Sequence, residues 1–246
     1  MTQRSVDGNT VGLLNGAPDP MRYDGHIDAP QEVARMLADL VPVGSRVLDV
    51  GCGTGSVSRI IADTRNAKII GIEPNSCRAA AARARGLEVY QELFTPAIAQ
   101  RLEPFNVILF ADVLEHVADP GSFLQFPRRA LLPGGRVVAS VPNVAHWSVR
   151  LDLLRGRFEY QPVGIRDATH LRWFTADTVR SLFETNGLRV ISLQHTAGVT
   201  LPDYENRRPW RWMPRDRRDA IVRALARRLP LLFGCQHIIH AIPAVS

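Results

Sequence analysis

The chain has 246 residues, of which 46% are apolar and 22% are charged, a composition typical of a folded globular protein. Its length predicts one α/β domain with additional segments. No apolar run approaches the ~20 residues of a membrane-spanning helix, which argues against a transmembrane protein. Residues 1–16 also lack the apolar core of a secretory signal. The formal net charge is +6 and Lys68 is the sole lysine, so arginine supplies nearly all of the positive charge.

The three cysteines, Cys52, Cys77 and Cys235, are far apart in the sequence and odd in number. None has the close spacing of a metal-binding cysteine pair. We therefore expect free thiols in the reducing cytoplasm.

The N-terminal stretch is polar and punctuated by glycines, which predicts an arm over residues 1–28 and a single domain over residues 29–246. Tyr23 and His26 lie in this arm, either as surface residues of a tail or as part of a cover over a ligand site. Apolar residues at helical spacing follow and predict an amphipathic helix. They are Val33, Met36, Leu37 and Leu40.

The next stretch predicts a ligand-binding turn. An apolar run at residues 47–50 indicates a short buried strand, the turn after it carries Gly51, Gly53 and Gly55, and apolar residues then recur at helical spacing. Glycines let the backbone approach a ligand closely, and the start of a helix favours an anion. A dinucleotide fingerprint would place its third glycine one step later, at Ser56. Asp49 instead favours a cationic amino-acid ligand.

The run Asp49-Val50-Gly51-Cys52-Gly53-Thr54-Gly55 resembles the first motif of the class I S-adenosylmethionine-dependent methyltransferases, acid-x-Gly-x-Gly-x-Gly. The resemblance extends over about residues 30–195. It implies a doubly wound, seven-stranded Rossmann-like α/β sheet with an antiparallel last strand and a substrate cap. It also implies S-adenosylmethionine as cofactor, bound by Asp49, Gly51, Cys52, Gly53 and Gly55, and an N-terminal arm that folds over it.

Two further acids follow predicted strands. Glu73 ends a strand at residues 68–72, and a carboxylate there can accept both ribose hydroxyls, with Pro74 beside it. The alternative is that Glu73 caps the next helix. Related methyltransferases place an Asp near the adenine amine after the third strand, predicted at residues 87–90. This chain has Gln91 and Glu92 there, which makes Glu92 the candidate.

The fourth predicted strand, residues 105–111, is almost wholly apolar, as a parallel strand buried on both faces should be. The resemblance implies that the segment after it packs on the adenine and faces the methyl group, which makes Asp112 and Val113 cofactor contacts. A glycine pair, Gly134-Gly135, then predicts a turn into a fifth strand at residues 136–141.

The chain leaves the fifth strand at the carboxyl edge, where ligands bind in this architecture. We expect a short helix at about residues 148–155, a helix capped by Thr175 and ended by Gly187, and a sixth strand at residues 188–193. The stretch over residues 142–174 resembles, more loosely, MetW proteins and O-methyltransferases of saccharide and natural-product pathways.

Residues 197–232 form an insertion before the last strand, predicted at residues 235–242 and antiparallel to the sixth. Together with residues 143–175 the insertion is predicted to cap the substrate site. Residues 207–228 contain nine arginines, and we expect a solvated helix face, then recognition of an anionic small molecule, and least of all nucleic-acid binding. The predicted apolar stripe of this insertion is Ile221, Val222, Leu225 and Leu229.

Three histidines, His116, His146 and His170, are candidates to take a proton from the methyl acceptor. The pattern Asp112-x-x-Glu115-His116, with His170 downstream, also resembles the metal site of small-RNA 2′-O-methyltransferases and some polyprenyl-quinone O-methyltransferases. That resemblance implies Mg²⁺ or Mn²⁺ held by these four side chains, although those families usually have Glu where this chain has Asp112. A direct base, or a role in packing and orientation, are the alternatives.

The sequence as a whole predicts transfer of a methyl group to a small molecule, preferably a hydroxyl of a saccharide or natural-product intermediate. The alternatives are a quinone or RNA ribose O-methyltransferase, or a non-catalytic MetW-like partner subunit. The acceptor, the choice between oxygen and nitrogen, and the oligomeric state do not follow from the sequence.

Overall fold

The computed structural model describes residues 19–26, 28–95, 97–98, 101–102 and 104–244. Most of the predicted N-terminal arm, residues 1–18, lies outside the described residues.

One seven-stranded sheet organises the described part of the chain. The strands are β1 (Arg46–Val50), β2 (Lys68–Ile72), β3 (Glu88–Tyr90), β4 (Phe105–Ala111), β5 (Leu131–Pro142), β6 (Leu188–His195) and β7 (Gln236–Pro243). Their order across the sheet is β3-β2-β1-β4-β5-β7-β6. Strands β1 to β5 pair in parallel, whereas β7 lies antiparallel between β5 and β6. The predicted Rossmann-like sheet with an antiparallel last strand is confirmed.

Helices connect the strands and form the cap. They are α1 (Val33–Leu40), α2 (Ser56–Arg65), α3 (Ser76–Ala84), α4 (Pro120–Gln125), α5 (Pro127–Ala130), α6 (Trp147–Leu153), α7 (Ala176–Thr185), α8 (Pro202–Asn206), α9 (Arg215–Arg228) and α10 (Pro230–Phe233). Single 3₁₀ turns occur at Leu114–His116 and Trp210–Trp212. Helix α7 begins after Thr175 because Thr175 and Thr178 form a capping box, in which each side chain hydrogen-bonds the backbone N–H of the other residue.

The sheet is buried on both faces because alternate side chains of each strand enter different cores. Leu48 and Ile108 belong to the core that packs against α7, whereas Val47 and Val107 belong to the core that packs against α1 and α2. Successive residues of a strand point to opposite faces, so continuous apolar runs are needed where both faces are covered. These runs are what made the strands predictable.

Strand β5 begins earlier than predicted. It starts at Leu131 and includes Gly134, whose φ is +77°, while the pairing of β4 with β5 shifts register between Phe105 and Val107. The glycine pair therefore forms an irregularity within the strand and not a turn before it.

The insertion between β6 and β7 has its own small core. Tyr204 is fully buried there, and its hydroxyl oxygen accepts a hydrogen bond from Trp147 Nε1 at 3.1 Å and lies 3.2 Å from His146 Nε2. Val222 and Ala226 of α9 are buried in the same cluster. The predicted stripe is only partly correct, because Leu229 is 50% exposed.

Arg218 of α9 occupies the buried face where the sequence predicted only apolar residues. Its guanidinium donates to the Tyr204 carbonyl oxygen at 3.2 Å and contacts Asp219. A buried charge with these partners is tolerated, so the helix packs through a mixed face.

Several arginines of the insertion fasten it to the rest of the domain. Arg207 donates to Asp152 of α6 at 2.9 Å and also pairs with Asp203. Arg223 pairs with Glu32 at 3.5 Å, and Arg227 donates to Gln31 Oε1 at 3.1 Å. These contacts give part of the arginine-rich segment a structural role.

None of the helices in the described ranges combines the length and apolarity that crossing a bilayer requires.

Tyr204 gives a test of how the insertion is held. Tyr204→Phe should lower the free energy of unfolding by about 1–3 kcal/mol, because Trp147 Nε1 and the buried His146 Nε2 lose their partner. Tyr90→Phe is a matched control, since the Tyr90 hydroxyl lies at the surface, 3.5 Å from Glu88. Its effect should stay below about 0.5 kcal/mol. Urea unfolding of both variants measures the difference, and equal effects would contradict this account.

Candidate active site

A cavity of about 600 Å³ lies at the carboxyl ends of the central parallel strands. The strand ends contribute Val50, Ile72, Ala111 and Pro142 to its wall. The arm, the cap loop around residues 164–170 and the start of β7 complete it. The volume suits a small molecule.

The three glycines of the first loop are required for different reasons. A β-carbon on Gly51, whose φ is +74°, would lie 2.8 Å from Val113 Cγ2. A β-carbon on Gly55, at φ +76°, would lie 2.4 Å from Leu87 Cδ1. Gly53 has a φ of +56° and open space around it, and it lines the cavity. The loop therefore presents bare backbone to a ligand at Gly53.

Asp49 is a buried acid beneath this loop. It is 1% exposed, the Ser58 hydroxyl donates to its Oδ2, and its Oδ1 has no hydrogen-bond partner among the described residues. Burial raises the pKa of Asp49 to about 7, a shift that the Ser58 hydrogen bond opposes and the charge of Glu73 reinforces. A cationic ligand would stabilise its ionised form.

Glu73 lines the cavity at the end of β2 and is 3% exposed. Its Oε2 accepts a hydrogen bond from the Gly53 N–H at 3.0 Å, and its Oε1 accepts from the Asn75 N–H at 2.9 Å. A carboxylate has about four acceptor sites, so two remain for ligand hydroxyls. The side chain that caps α3 is Asn75 and not Glu73, which removes the alternative considered from the sequence. Pro74 lies beside Glu73 in the wall.

Glu92 does not reach the cavity. Its carboxylate pairs with Arg101 at 2.8 Å and is about half exposed. Leu93 and Phe94 line the cavity instead, and Phe94 packs against Phe123 at a centroid distance of 5.3 Å. The predicted cofactor contact of Glu92 is therefore contradicted, because the two apolar residues that follow it line the cavity in its place.

Asp112 adopts a left-handed backbone conformation, with φ +55°, at the end of β4. Its Oδ1 accepts from the Ser140 hydroxyl at 2.8 Å and its Oδ2 accepts from Gln236 Nε2 at 3.3 Å. Both Asp112 and Val113 line the cavity, where the predicted cofactor contacts remain a prediction. The carboxylate is nevertheless committed to β5 and β7.

Glu115 is the most unusual acid of the site. It is 1% exposed, and neither carboxylate oxygen has a hydrogen-bond partner among the described residues. Burial raises its pKa well above the ordinary value, and the charges of Asp112 and Asp167 add to this effect. An ionised Glu115 needs a positive partner to be stable at this depth.

Two imidazoles lie beside this carboxylate. The rings of His116 and His170 meet edge to face with centroids 4.8 Å apart. Their Nδ1 atoms lie 3.2 Å from the carbonyl oxygens of Thr169 and Ile165 respectively. A carbonyl oxygen only accepts, so both Nδ1 atoms carry hydrogen and both Nε2 atoms keep a lone pair. Burial lowers the pKa of His116. Burial and the positive charge of a protonated His116 together lower the pKa of His170 to about 4.

Glu115, His116 and His170 each offer a ligand atom, and these atoms all lie within 4.8 Å of one another. One carboxylate and two imidazoles suit a first-row divalent ion such as Mn²⁺ and leave coordination positions open. Asp112 does not belong to this cluster, so the four-ligand set implied by the sequence is corrected to three.

His146 does not reach the cavity, in contrast to the sequence prediction. It is fully buried, it caps α6 by accepting the Ser148 N–H, and its Nε2 faces the Tyr204 hydroxyl. Burial lowers the pKa of His146 to about 3. These contacts give it a structural role in the cap.

The described part of the arm crosses the cavity. The Tyr23 hydroxyl donates to Asp167 at 2.6 Å, and Arg22 donates to the same carboxylate at 3.1 Å. Asp24 accepts from the Thr54 hydroxyl at 2.8 Å. Residues at both ends of the cavity therefore hold the arm in place.

Comparisons with known proteins agree with this architecture. A family model described as "Methyltransferase domain" matches residues 22–193. The chain is 34% identical over 154 residues to the ubiquinone biosynthesis O-methyltransferase of Nitrobacter winogradskyi, covering 60% of this chain and 58% of that protein. It is 37% identical over 106 residues to the protein of the same name from Pseudomonas fluorescens (strain SBW25), covering 41% and 45%. It thus spans less than two thirds of the length of these relatives.

Solved structures share the fold at low identity. A SAM-dependent methyltransferase from Archaeoglobus fulgidus matches with a TM-score of 0.57 at 16% identity, covering 84% of this chain and 90% of that one. The cyclopropane synthase MmaA2 from Mycobacterium tuberculosis matches with a TM-score of 0.57 at 13% identity, covering 93% and 90%.

The sheet order, the glycine loop and the strand-end acids define the class I S-adenosylmethionine-dependent fold. With the family match over residues 22–193, the chain belongs to the class I S-adenosylmethionine-dependent methyltransferases.

Sequence reasoning missed several residues that line the cavity. Apart from Leu93 and Phe94, they include Arg22, Phe123, Ile165, Leu201 and Gln236. Their positions depend on contacts between distant segments. The single local signal was the apolar pair directly after Glu92.

The raised pKa of Asp49 gives a test of the cofactor end. The free protein holds the Asp49 proton up to a pKa of about 7, so S-adenosylmethionine binding should weaken by up to ~10-fold per pH unit below pH 7. Asp49→Asn should bind more weakly at about pH 8 and should lose this pH-dependent step. Calorimetry of both proteins between about pH 6 and pH 8 measures it. The same pH dependence in both proteins would contradict the assignment.

Proposed function

We propose that the chain transfers the methyl group of S-adenosylmethionine to a hydroxyl of a quinone precursor, with Glu115, His116 and His170 holding a divalent ion beside that hydroxyl. The names of the curated relatives support the quinone class over the saccharide class that the sequence favoured. They equally favour an O-methyltransferase over a MetW-like partner subunit.

The observation that carries this proposal is the unpaired carboxylate of Glu115. Both of its oxygens are buried without a partner among the described residues, beside two imidazoles whose Nε2 lone pairs are available. A buried carboxylate in this state is unfavourable, because it has lost water and gained no counter-charge. A divalent cation would supply that charge. Without a cation the arrangement lowers the stability of the fold, so a purely structural role does not explain it.

The cofactor end fits a sulfonium amino acid joined to a nucleoside. Asp49 provides a buried negative charge for the amino-acid ammonium group, Glu73 has acceptor sites left for ribose hydroxyls, and Gly53 leaves room for close approach. When bound, S-adenosylmethionine supplies an electrophilic methyl group. The protein aligns the acceptor with it and excludes water.

The acceptor hydroxyl must lose its proton during transfer. A divalent ion at the cluster would lower the pKa of a hydroxyl that it contacts. If no ion is held, the Nε2 atoms of His116 and His170 are neutral acceptors that can take the proton directly. The two roles use the same lone pairs, so a histidine variant would abolish both. Removal of the metal is needed to separate them.

The wall of the cavity favours an apolar ring as acceptor. Ile165 and Leu201 contribute to its lining on the side of the cap, and a saccharide would leave many of its hydroxyls without partners on such a surface. Arg207, Arg218 and Arg227 of the insertion are engaged with protein groups, so part of its positive charge is not free for nucleic acid. The acceptor class is therefore a small molecule.

Removing His170 tests the catalytic role. His170→Ala should lower the methyl-transfer rate by roughly 10²–10⁴, because a positioned lone pair at the reacting hydroxyl is lost. His195→Ala is the matched control, since His195 lies on β6 outside the cavity lining, and its rate should stay near wild type. Transfer of an isotopically labelled methyl group to hydroxylated aromatic rings is the measurement, with saccharides tested in parallel.

A chelator then separates the two chemistries. Activity lost with chelator and restored by Mn²⁺ or Mg²⁺ supports the ion, whereas indifference to chelator supports a direct base. A fully active His170→Ala protein would exclude both roles, and labelling of saccharides alone would exclude the quinone class.

Glu115→Gln separates stability from function. Burial raises the pKa of Glu115 in the folded protein, whereas in the unfolded chain the group ionises above its ordinary pKa of 4.5. This difference lowers the free energy of unfolding of the metal-free protein at neutral pH. We expect Glu115→Gln to raise the unfolding temperature of the metal-free protein and to abolish stabilisation by Mn²⁺. Scanning calorimetry with and without Mn²⁺ checks both. A variant that loses stability and still gains from Mn²⁺ would contradict the cluster.

A further inference from the structure

Asp167 is a buried carboxylate in the cap loop that carries His170, and it is 1% exposed. Two of its donors are the backbone N–H and the hydroxyl of Thr169, both at 2.7 Å. The others belong to the arm, namely the Tyr23 hydroxyl at 2.6 Å and the Arg22 guanidinium at 3.1 Å. The arm and the cap therefore meet on a single negative charge.

Thr169 connects this charge to His116. Because the Thr169 hydroxyl donates to Asp167, its oxygen acts as acceptor towards Arg22 Nη2 at 2.9 Å and His116 Nδ1 at 3.2 Å. The Thr169 carbonyl oxygen lies 3.2 Å from the same Nδ1. Asp167 thus presents two oxygen acceptors of Thr169 to one ring nitrogen, which places the proton on Nδ1 and leaves Nε2 as a lone pair.

The arm also supports the loop that carries the second histidine. The Tyr23 hydroxyl oxygen accepts the Gly164 N–H at 2.9 Å, and the Ile165 carbonyl next in the chain lies 3.2 Å from His170 Nδ1. At the other end of the arm, the ring of His26 lies 2.9 Å from the Ser56 hydroxyl beside the glycine loop. The segment over residues 22–26 therefore contacts the glycine loop at the cofactor end. It also contacts the cap loop whose carbonyl groups hold the rings of His116 and His170.

We propose that Asp167 is a positioning residue through which docking of Arg22 and Tyr23 fixes the tautomer and orientation of His116. The contacts of Arg22 and Tyr23 with Asp167 are thereby coupled to assembly of the acceptor site. The inference rests on the proposed function through the role given to His116. It predicts that variants at this junction lose the acceptor chemistry even where the fold is intact.

The direct test is the protonation pattern of the His116 ring. The full chain labelled with ¹⁵N-histidine should show His116 as the Nδ1–H tautomer, assigned by loss of its signals in His116→Gln. In Tyr23→Phe and Asp167→Asn these signals should shift towards a mixture of tautomers. Thr169→Val should shift them in the same direction by a smaller amount, because the Thr169 carbonyl oxygen remains, whereas Thr169→Ser should retain the wild-type pattern because it keeps the hydroxyl.

Tyr160→Phe is the matched control, because Tyr160 is a cap tyrosine that is 38% exposed and outside the cavity lining. Its His116 signals should match wild type. Calorimetric titration with Mn²⁺ gives a second measurement, and the affinity should weaken by roughly 10–100-fold in Tyr23→Phe and Asp167→Asn. Thermal unfolding confirms that each variant is folded.

An unchanged His116 tautomer in folded Tyr23→Phe and Asp167→Asn proteins would overturn the inference, as would an Nε2–H tautomer in the wild type. A wild-type protein that binds no Mn²⁺ would instead overturn the metal role in the proposed function. The nitrogen spectra do not depend on the metal, so they decide the positioning role of Asp167 separately.

Discussion

The geometry of the site depends on the contact between the loop after β1 and the loop after β4. The first loop has a glycine, Gly51, where the second places Val113. A β-carbon on Gly51 would lie 2.8 Å from Val113 Cγ2, so the residue before the turn that carries Glu115 and His116 packs on the glycine loop at a distance that leaves no room for a side chain. The donor loop and the acceptor cluster are thereby held by neighbouring strands of one rigid sheet. Methyl transfer depends on alignment more than on acid–base strength, and this contact provides it.

Two buried carboxyl groups in the cavity are electrostatically unfavourable in the free protein. Asp49 and Glu115 are buried, each has oxygens without a hydrogen-bond partner in the described part of the chain, and burial raises the pKa of both. Such arrangements reduce the stability of the free protein, and they are common where a site is prepared for a charged ligand. Both acids line the same cavity, which is therefore suited to two positive groups at once.

The sequence was most informative where one local pattern determines one local structure. The glycine loop, Glu73 and the apolar strands follow from short-range spacing and from the parallel sheet, so their places were predictable. Glu92 was misplaced because the sequence shows that an acid follows β3 but not which of the neighbouring side chains turns inward. Its neighbour Phe94 does so, to pack on Phe123.

Side chains whose roles depend on distant partners were beyond prediction. His146 was correctly placed at the carboxyl edge, but its direction is set by Tyr204, which lies 58 positions away. The docking of Tyr23 on Asp167 spans 144 positions and has no sequence signature. The buried position of Arg218 in α9 likewise depends on the Tyr204 carbonyl, so a search for an apolar stripe could not find it.

The contacts of α9 with the start of α1 bear on how this protein can be re-engineered. Arg223 and Arg227 join the insertion to residues 30–32, and the Gln31 carbonyl accepts the Ala197 N–H at 3.0 Å where the insertion begins. Residues 30–32 directly follow the arm, so the insertion and the N-terminal segment form one exchangeable unit. A chimera that imports a foreign insertion to change the acceptor must import the matching N-terminal segment with it. Otherwise the graft leaves Glu32 without its cation and the new cap without its anchor.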